Sequence, residues 1–242
     1  MKKLITGVVI AAAAVVLFTL VSRSDTDNNE VITDNNSIDM TGDIITLPQP
    51  SLSGTLSLEE AIARRRSVRS YRPDALNIGQ VGQMLWSAQG ITLESRGFRA
   101  APSAGATFPL EIYLAAGRVN RLAPGLYRYN PSDHTLSLVT DEDLRSQLSA
   151  AALGQHMVRD APVSFIIAAD YGRTSSRYGE RAVRYVHMEV GHAAQNLNLQ
   201  AISLGFGAVM VGAFNDSDVK GIMELPDNID PLYIIPVGRP QQ

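Results

Sequence analysis

The stretch ERAVRYVHMEVGHAAQNLNLQAISLG (residues 180–205) carries apolar side chains at three- and four-residue spacing along its whole length. This spacing predicts an amphipathic helix. At about 1.5 Å per residue such a helix would extend roughly 37 Å, which is longer than most helices of globular domains. We therefore expect it to form the spine of a domain or a dimer interface.

Strand-like segments lie on both sides of this predicted helix. Apolar runs bounded by turn residues predict strands at 110–116, 125–130, 135–140, 163–170, 207–214 and 231–238. Shorter helices are predicted after the capping residues Ser57 and Asn77, from Asp141, and from Asp216. Helices and strands mix without the regular alternation of a doubly wound sheet, so the sequence predicts the α+β class.

The overall composition excludes several classes of function. The formal net charge of the 242 residues is −3, which argues against a nucleic-acid-binding protein held by bulk electrostatics. Cysteine is absent, which excludes disulfides, cysteine-ligated metal sites and a thiol nucleophile. The histidines form no HExxH pattern, and His187 and His192 do not share a helix face, so no metal site is predicted.

The N-terminal residues form a separate unit. Lys2 and Lys3 precede an uninterrupted apolar run over residues 4–21, close to the length of a membrane-spanning helix. We predict that residues 1–23 are an uncleaved membrane anchor, with a cleaved signal peptide as the alternative. The lysines would keep the N-terminus in the cytoplasm, which places the folded part on the extracytoplasmic side of a bacterial inner or cell membrane.

A polar stretch rich in Asp and Asn follows the apolar run. Its acidic residues meet no basic partner, so residues 24–53 are predicted to be an extended, solvated linker. The folded domain is then expected to span residues 54–242.

The stretch RRRSVRSYRP (64–73) gathers five arginines within ten residues. Two interpretations are open. The basic residues complement the dipole at the end of the preceding helix. Alternatively, Arg65, Arg66, Ser67 and Arg69 surround one anion, since guanidinium groups match the geometry of phosphate.

Two further loops contain glycines at positions that indicate either a turn or close approach of a ligand. In APSAGATFPLEIY (101–113), small residues and Gly105 would allow close approach to a flat ligand, although a simple turn is the alternative. In LGFGAVMVGAF (204–214), Gly205 predicts a helix C-cap. Gly212 lies inside a predicted strand, which suggests a backbone exposed to a ligand.

Taken together, these stretches resemble the nitroreductase family of FMN-dependent oxidoreductases, most closely its SagB-type dehydrogenase branch. The matching stretches occur in family order at residues 65–71, 101–114, 126–136, 161–214 and 231–240. The resemblance implies a nitroreductase-like α+β fold with a central mixed or antiparallel sheet flanked by helices. It also implies a homodimer in which the long helix packs at the subunit interface and each FMN lies between the subunits.

The resemblance further assigns residues to the cofactor. Arg65, Ser67 and Arg69 would bind the FMN phosphate and ribityl chain, while Arg239 would reach the same phosphate. The partner subunit would supply a serine and a glycine against the flavin, and the backbone at residues 212–213 would face flavin N5. The full set of implied cofactor-binding residues is Arg65, Arg66, Ser67, Arg69, Ser103, Gly105, Gly205, Gly207, Gly212, Ala213 and Arg239.

The implied function is that of an FMN-dependent oxidoreductase working by alternating half-reactions through flavin N5 on an unidentified small molecule, with NAD(P)H as a candidate electron donor. No catalytic side chain is predicted, although Tyr178 and Tyr185 are candidates to line the pocket. One alternative is a flavin-binding electron carrier without turnover. Another is a peptide azoline dehydrogenase, which is disfavoured because the Lys-Tyr pair of SagB-type azoline oxidases is replaced by Arg177-Tyr178 and Arg184-Tyr185.

Overall fold

The computed structural model describes residues 44–241 and the backbone of Met40–Thr41. The helices are α1 (Leu58–Arg64), α2 (Ile78–Gln89), α3 (Arg145–Ala151), α4 (His156–Asp160), α5 (Tyr171–Tyr178), α6 (Ala182–Ser203) and α7 (Asp216–Ile222). Short 3₁₀ helices lie at Glu94–Arg96, Ala104–Ala106 and Gly179–Arg181. The strands are β1 (Met40–Thr41), β2 (Ile44–Thr46), β3 (Leu76–Asn77), β4 (Ile91–Leu93), β5 (Phe98–Arg99), β6 (Leu110–Ala116), β7 (Val119–Asn120), β8 (Gly125–Asn130), β9 (Thr135–Thr140), β10 (Val163–Ala169), β11 (Gly207–Ala208) and β12 (Asp230–Gly238).

The main sheet has eight strands within the described residues, in the order β1-β2-β9-β8-β6-β10-β12-β11. Every pairing in this sheet is antiparallel. The central strand β10 pairs with β6 on one side and β12 on the other. The α+β class and the central antiparallel sheet flanked by helices are therefore confirmed.

Helices cover both faces of the sheet, which explains why β10 is buried along its whole length. Successive side chains of a strand point to opposite faces. Accordingly, Phe165 and Ile167 pack into the core formed with α2 and α6. Ile166 and Ala168 pack into a second core with α3, α4 and α7. A continuous apolar run is the sequence signature of a strand covered on both sides.

Two helix starts follow the predicted capping chemistry. The Ser57 hydroxyl accepts from the Glu60 amide at 3.1 Å at the start of α1. Asn77 and Gln80 form a reciprocal capping box at the start of α2, with bonds of 2.8 and 2.9 Å. These bonds satisfy amide groups that have no partner within the helix.

Other elements differ from the sequence predictions. The helix expected from Asp141 begins later, at Arg145, because Asp143 instead accepts bonds from the Arg145 side chain and amide. The strand expected over 207–214 forms only at its first two residues and at a bridge between Val211 and Ile234. Residues 44–46, within the range predicted as a linker, pair with β9 as strand β2.

The prediction of a membrane-anchored chain is corrected by the structure. In residues 44–241 no helix combines the length and the apolarity that a membrane crossing requires. The longest of these helices, α6, carries charged side chains such as Arg184 and Glu189. Residues 1–23, on which the prediction was made, lie outside the described residues. The membrane segment, the transmembrane helix and the extracytoplasmic location are therefore withdrawn.

Candidate functional site

The arginine-rich segment runs beside β11 after α1 ends. Ser67 forms a parallel bridge with Ala208, and the Val68 amide donates to the Ala208 carbonyl at 3.0 Å. Gly207 has no room for a side chain, because a Cβ there would overlap the side chain of Val68. The backbone of the segment is thus anchored on the sheet, while the side chain of Arg69 is exposed.

The arginine side chains of this segment have different surroundings. Arg64 pairs with Glu60 one turn earlier, and Arg66 donates to two backbone carbonyls at 3.0 and 2.7 Å. Arg65 and Arg69 form no ion pair with a carboxylate of the described residues. Arg64 therefore fits the helix-end interpretation, whereas Arg65 and Arg69 are free to bind an anion.

Arg239 follows β12 and lies beside this segment. The Arg72 amide donates to the Arg239 carbonyl at 2.9 Å, and the Arg239 guanidinium lies 5.4 Å above the ring of Phe206. Its Nε is 3.3 Å from an oxygen of Asp74, a neighbour that the sequence analysis did not weigh. The name outer arginine cluster is used below for Arg65, Arg66, Arg69 and Arg239.

The end of α6 lies close to the same cluster. Gly205 has a φ of +78°, and the Phe206 amide donates back to the Ala201 carbonyl at 2.8 Å. Left-handed backbone at the residue after a helix is the usual role of glycine, so the C-cap interpretation of Gly205 is confirmed. This turn positions the Phe206 ring under the Arg239 guanidinium.

The backbone at Gly212 and Ala213 is exposed, as the ligand interpretation requires. The Val211 amide donates to Ile234, and the Ala213 carbonyl accepts from the Gln155 side chain at 2.8 Å. Within residues 44–241, the amide groups of Gly212 and Ala213 donate to no protein acceptor. Two neighbouring N–H donors are therefore available at this point.

Ser103 and Gly105 lie in a different part of the molecule, beside the end of α5. The Ser103 hydroxyl accepts from the Phe108 amide at 2.9 Å, and the Gly105 carbonyl accepts from Arg177 at 3.2 Å. Gly105 has a φ of +60°, and a Cβ there would lie 2.6 Å from the Tyr178 hydroxyl. Both the backbone conformation and the close contact require glycine at this position.

Glu189 of α6 lies under this loop and is only 2% exposed. Burial raises the pKa of its carboxyl to about 7, although hydrogen bonds from Ser103 and Ala104 and the nearby Arg99 act in the opposite direction. One of its oxygens has no hydrogen-bond partner among the described residues. The burial of Glu189 was not predicted, since a single glutamate in a long helix gives no sequence signal of burial.

The two candidate pocket tyrosines are neighbours in the structure. The rings of Tyr178 and Tyr185 meet edge to face with centroids 5.1 Å apart. Arg181 donates to the Tyr185 hydroxyl at 3.1 Å. Because Tyr178 also contacts Gly105, the tyrosines belong with the Ser103 loop and not with the outer arginine cluster.

These two groups of predicted residues lie at different levels of α6. Glu189 marks the level of the Ser103 loop, and Ser203 is the last residue of the helix, next to Gly205. The fourteen intervening steps correspond to about 21 Å along the axis. The structure therefore separates the residues that the sequence assigned to one cofactor into two groups within one chain.

Sequence analysis missed a second set of arginines around a cavity bounded by β6, β8 and α5. Glu111 is 7% exposed and accepts from Arg128 at 2.9 and 2.7 Å and from Arg173. Arg99 also lines this cavity. The name inner arginine cluster is used below for Arg99, Arg128 and Arg173. The glutamate inside the apolar segment LEIYLAA was the available signal.

No group of three or more histidine or acidic side chains that could hold a metal ion occurs in the part of the chain that the structure describes.

The known proteins that this chain is similar to include nitroreductases and flavin reductases. A model described as "Nitroreductase family" matches residues 62–239. Over 198 residues the chain is 43% identical to "Putative nitroreductase MJ1384" of Methanocaldococcus jannaschii, covering 82% of this chain and 98% of that protein.

Two further similarities are more distant. Over 125 residues the chain is 27% identical to the FMN reductase (NAD(P)H) of Bacillus subtilis, which covers 46% of this chain and 50% of that protein. Among solved structures, a "putative nitroreductase" of Ralstonia eutropha superposes with a TM-score of 0.72 at 28% identity, covering 85% of this chain and 93% of the other. The nitroreductase-like fold expected from the sequence is thereby confirmed.

Proposed function

The chain belongs to the nitroreductase family of oxidoreductases, and on that premise we propose that it uses FMN held between two copies of the chain. The SagB-type branch stays a prediction. The observation that carries the proposal is that the predicted cofactor-binding residues form two groups within one chain, at different levels of α6.

The outer arginine cluster has the properties of a phosphate-binding half-site. The guanidinium groups of Arg65 and Arg69 have no carboxylate partner in the described residues, and Arg239 shares its charge with only the half-exposed Asp74. Burial raises the pKa of the Tyr71 hydroxyl, while the positive charge of Arg69 acts against this rise, so the two groups are close. Guanidinium groups held by an anchored backbone can bind a phosphate with charge-assisted hydrogen bonds.

The second half-site is the Ser103 loop with Gly105. One FMN cannot contact both half-sites in one chain, because about 21 Å of α6 separates their levels. In the proposed dimer the loop of one copy lies at the arginine cluster of the other. Because the dimer is two-fold symmetric, this contact occurs twice. The proposed homodimer thus completes two equivalent sites.

Exposed apolar side chains support an interface along α6. Val183 and Met188 of this helix are 51% and 55% exposed, and Leu58 and Ile62 of the neighbouring α1 are 62% and 55% exposed. Gly191, on the same helix, leaves space for close approach. Several large apolar side chains exposed on two packed helices favour a protein–protein contact there.

When bound, FMN would supply hydride and electron transfer, the chemistry that defines flavin enzymes. The chain would contribute binding and orientation. Arg65, Arg69 and Arg239 would hold the phosphate, and the amide groups of Gly212 and Ala213, which have no acceptor among residues 44–241, would donate to the ring. The bond from Gln155 to the Ala213 carbonyl fixes the orientation of this backbone.

The proposal is tested by purifying the full chain, adding FMN, removing the excess, and measuring the visible spectrum and the FMN released on denaturation. The expected result is one FMN per chain in a dimer. Anaerobic addition of NADH or NADPH should then bleach the flavin absorbance, and an added acceptor should restore it. A colourless monomer after incubation with excess FMN would refute the proposal. Bound FMN that no nicotinamide reduces would favour the electron-carrier alternative over an NAD(P)H-dependent oxidoreductase.

A further inference from the structure

We propose that the cavity lined by the inner arginine cluster binds a small molecule through a carboxylate or phosphate group. The cavity has a volume of about 300 Å³ and lies between β6, β8, β9 and α5. This volume is at the lower end of the range for small-molecule sites. It shares no lining residue with the outer arginine cluster or with Ser103 and Gly105 of the loop half-site, although Arg99 and Arg173 contact the neighbouring Phe108.

The charges that line the cavity are unbalanced. Arg99, Arg128 and Arg173 face it together with the carboxylate of Glu111, and a second carboxylate, that of Asp170, lies 3.5 Å from the Nε of Arg173. The neighbouring Glu189 acts to raise the pKa of Arg99. Its carboxyl carries only part of a negative charge near neutral pH, since its own pKa is about 7. Positive charge is therefore left in a partly desolvated space, and an oxyanion would compensate it.

A buried amide supplies an independent sign of a missing partner. Gln89 is 1% exposed and lines the cavity. Its Oε1 accepts from Arg99 at 3.0 Å, but its Nε2 has no hydrogen-bond partner among the described residues. Buried donors without partners are costly and uncommon in native proteins. An oxyanion in the cavity would accept from this amide as well as from the guanidinium groups.

The cavity arginines are held in place by bonds that an incoming anion would not need to break. Arg99 lies over the ring of Phe108 with its guanidinium 4.6 Å from the centroid. Arg173 donates to the Phe108 carbonyl at 3.0 Å. Serine hydroxyls at Ser132 and Ser137 on the β8–β9 side add further donors. The geometry thus provides a preorganised set of donors around one space.

Isothermal titration calorimetry of the full chain tests this site, with inorganic phosphate and succinate as separate probes at constant ionic strength. We expect saturable binding of at least one probe at one site per chain that Arg69→Ala leaves in place, apart from any phosphate bound by the outer arginine cluster. Arg128→Gln and Gln89→Met should each weaken that binding about tenfold or more. Gln89→Met removes the unpaired buried donor together with the Oε1 that accepts from Arg99, so its ligand-free stability is measured by thermal unfolding, and it decides the test if Arg128→Gln fails to fold.

Two further variants separate this site from the rest of the surface. Arg159→Gln, at an exposed arginine paired with Asp160, should bind the probe as the wild type does. Arg69→Ala should also keep the binding, because its guanidinium belongs to the outer cluster. Absence of saturable binding, or binding that Arg69→Ala abolishes while Gln89→Met leaves it intact, would overturn the proposal. Neither result depends on whether FMN binds.

Discussion

Arg69 is exposed and Arg65 is half-buried, and neither has a carboxylate partner in residues 44–241, whereas Arg128 and Arg173 both bond the buried Glu111. The outer cluster comes almost entirely from one short stretch, anchored by its backbone on β11. The inner cluster comes from three distant positions that the sheet and α5 bring together. Exposed charges lose little hydration, so they can stay unpaired until a ligand arrives. Partly buried charges need a counter-charge for the fold itself.

The residues that bind a ligand and the residues that stabilise the fold therefore lie in different clusters of this molecule. Loss of the outer arginine cluster should weaken ligand binding and leave the free energy of unfolding almost unchanged. Loss of the Glu111 carboxylate, which pairs with the inner arginine cluster, should mainly lower the free energy of unfolding. The following experiments would sharpen or break this distinction, beginning with the largest expected effect.

Glu111→Gln should destabilise the fold by about 2–3 kcal/mol, because it leaves neighbouring guanidinium groups without their common carboxylate. The expected loss is below that of a fully buried pair, since Arg128 and Arg173 are 53% and 38% exposed. Chemical denaturation followed by circular dichroism measures the change. Glu60→Gln is the matched control, because its ion pair with Arg64 is on the surface and should contribute under about 0.5 kcal/mol. Equal effects of the two substitutions would erase the contrast between the clusters.

Glu189→Gln should alter how stability depends on pH. The folded-state pKa of about 7 lies above the ordinary value of 4.5, so between these values the folded chain binds the proton more strongly than the unfolded chain. Stability contributed by this group therefore falls as pH rises from about 4.5 to 7, by at most about 3 kcal/mol. Denaturation at pH 5 and pH 8 should show this fall in the wild type and a smaller one in Glu189→Gln. The exposed Glu180→Gln should keep the wild-type slope, and an unchanged slope in Glu189→Gln would contradict the assignment.

Arg69→Ala should change the free energy of unfolding by no more than about 0.5 kcal/mol, as expected for an exposed side chain. It should nevertheless weaken FMN binding about tenfold, since one charge-assisted hydrogen bond is lost. Raising the salt concentration should weaken FMN binding in the wild type more than in Arg69→Ala, because exposed charges are screened. Fluorescence titration with FMN at two salt concentrations measures both effects. A large loss of stability with unchanged FMN affinity would reverse the roles assigned to the outer cluster.

Much of the fold could be predicted because local signals and packing agree. The caps at Ser57 and Asn77, the apolar run of β6, and the long apolar stripe of α6 each specify one element. Helix α5 was not predicted, because its sequence YGRTSSRY is polar, and tertiary contacts hold it: Thr174 is buried and bonds Thr107 at 2.8 Å. Strand β2 was assigned to a linker because its polar surroundings hid Ile45 and Leu47, which are buried.

The candidate sites show the same division. The outer arginine cluster is visible in sequence because three of its four arginines lie between residues 65 and 69. The inner cluster is not visible, because residues 99, 128 and 173 become neighbours only through the register of β6 with β8 and the position of α5. Burial of Glu189 is likewise a property of packing, whereas the burial of Glu111 could have been predicted from its place inside the apolar segment LEIYLAA.

Subunit mixing tests the proposed shared site most directly. Arg69→Glu replaces a guanidinium of the arginine half-site by a carboxylate that repels the phosphate, and Gly105→Val distorts the loop half-site, where a Cβ would meet Tyr178. Gly97→Val is the control for the loop variant, because Gly97 has a similar φ of +62° but open space around it. It should retain FMN as the wild type does. FMN bound per chain is measured for each variant and for their exchanged mixture, at an FMN concentration that saturates only the wild-type site.

In a two-fold dimer each mixed pair contains one site with both halves intact. Random exchange should therefore restore about one quarter of the wild-type FMN capacity, although each variant alone retains little. A mixture that binds no more FMN than the two variants measured separately would show that each site is built within one chain, and would contradict the account.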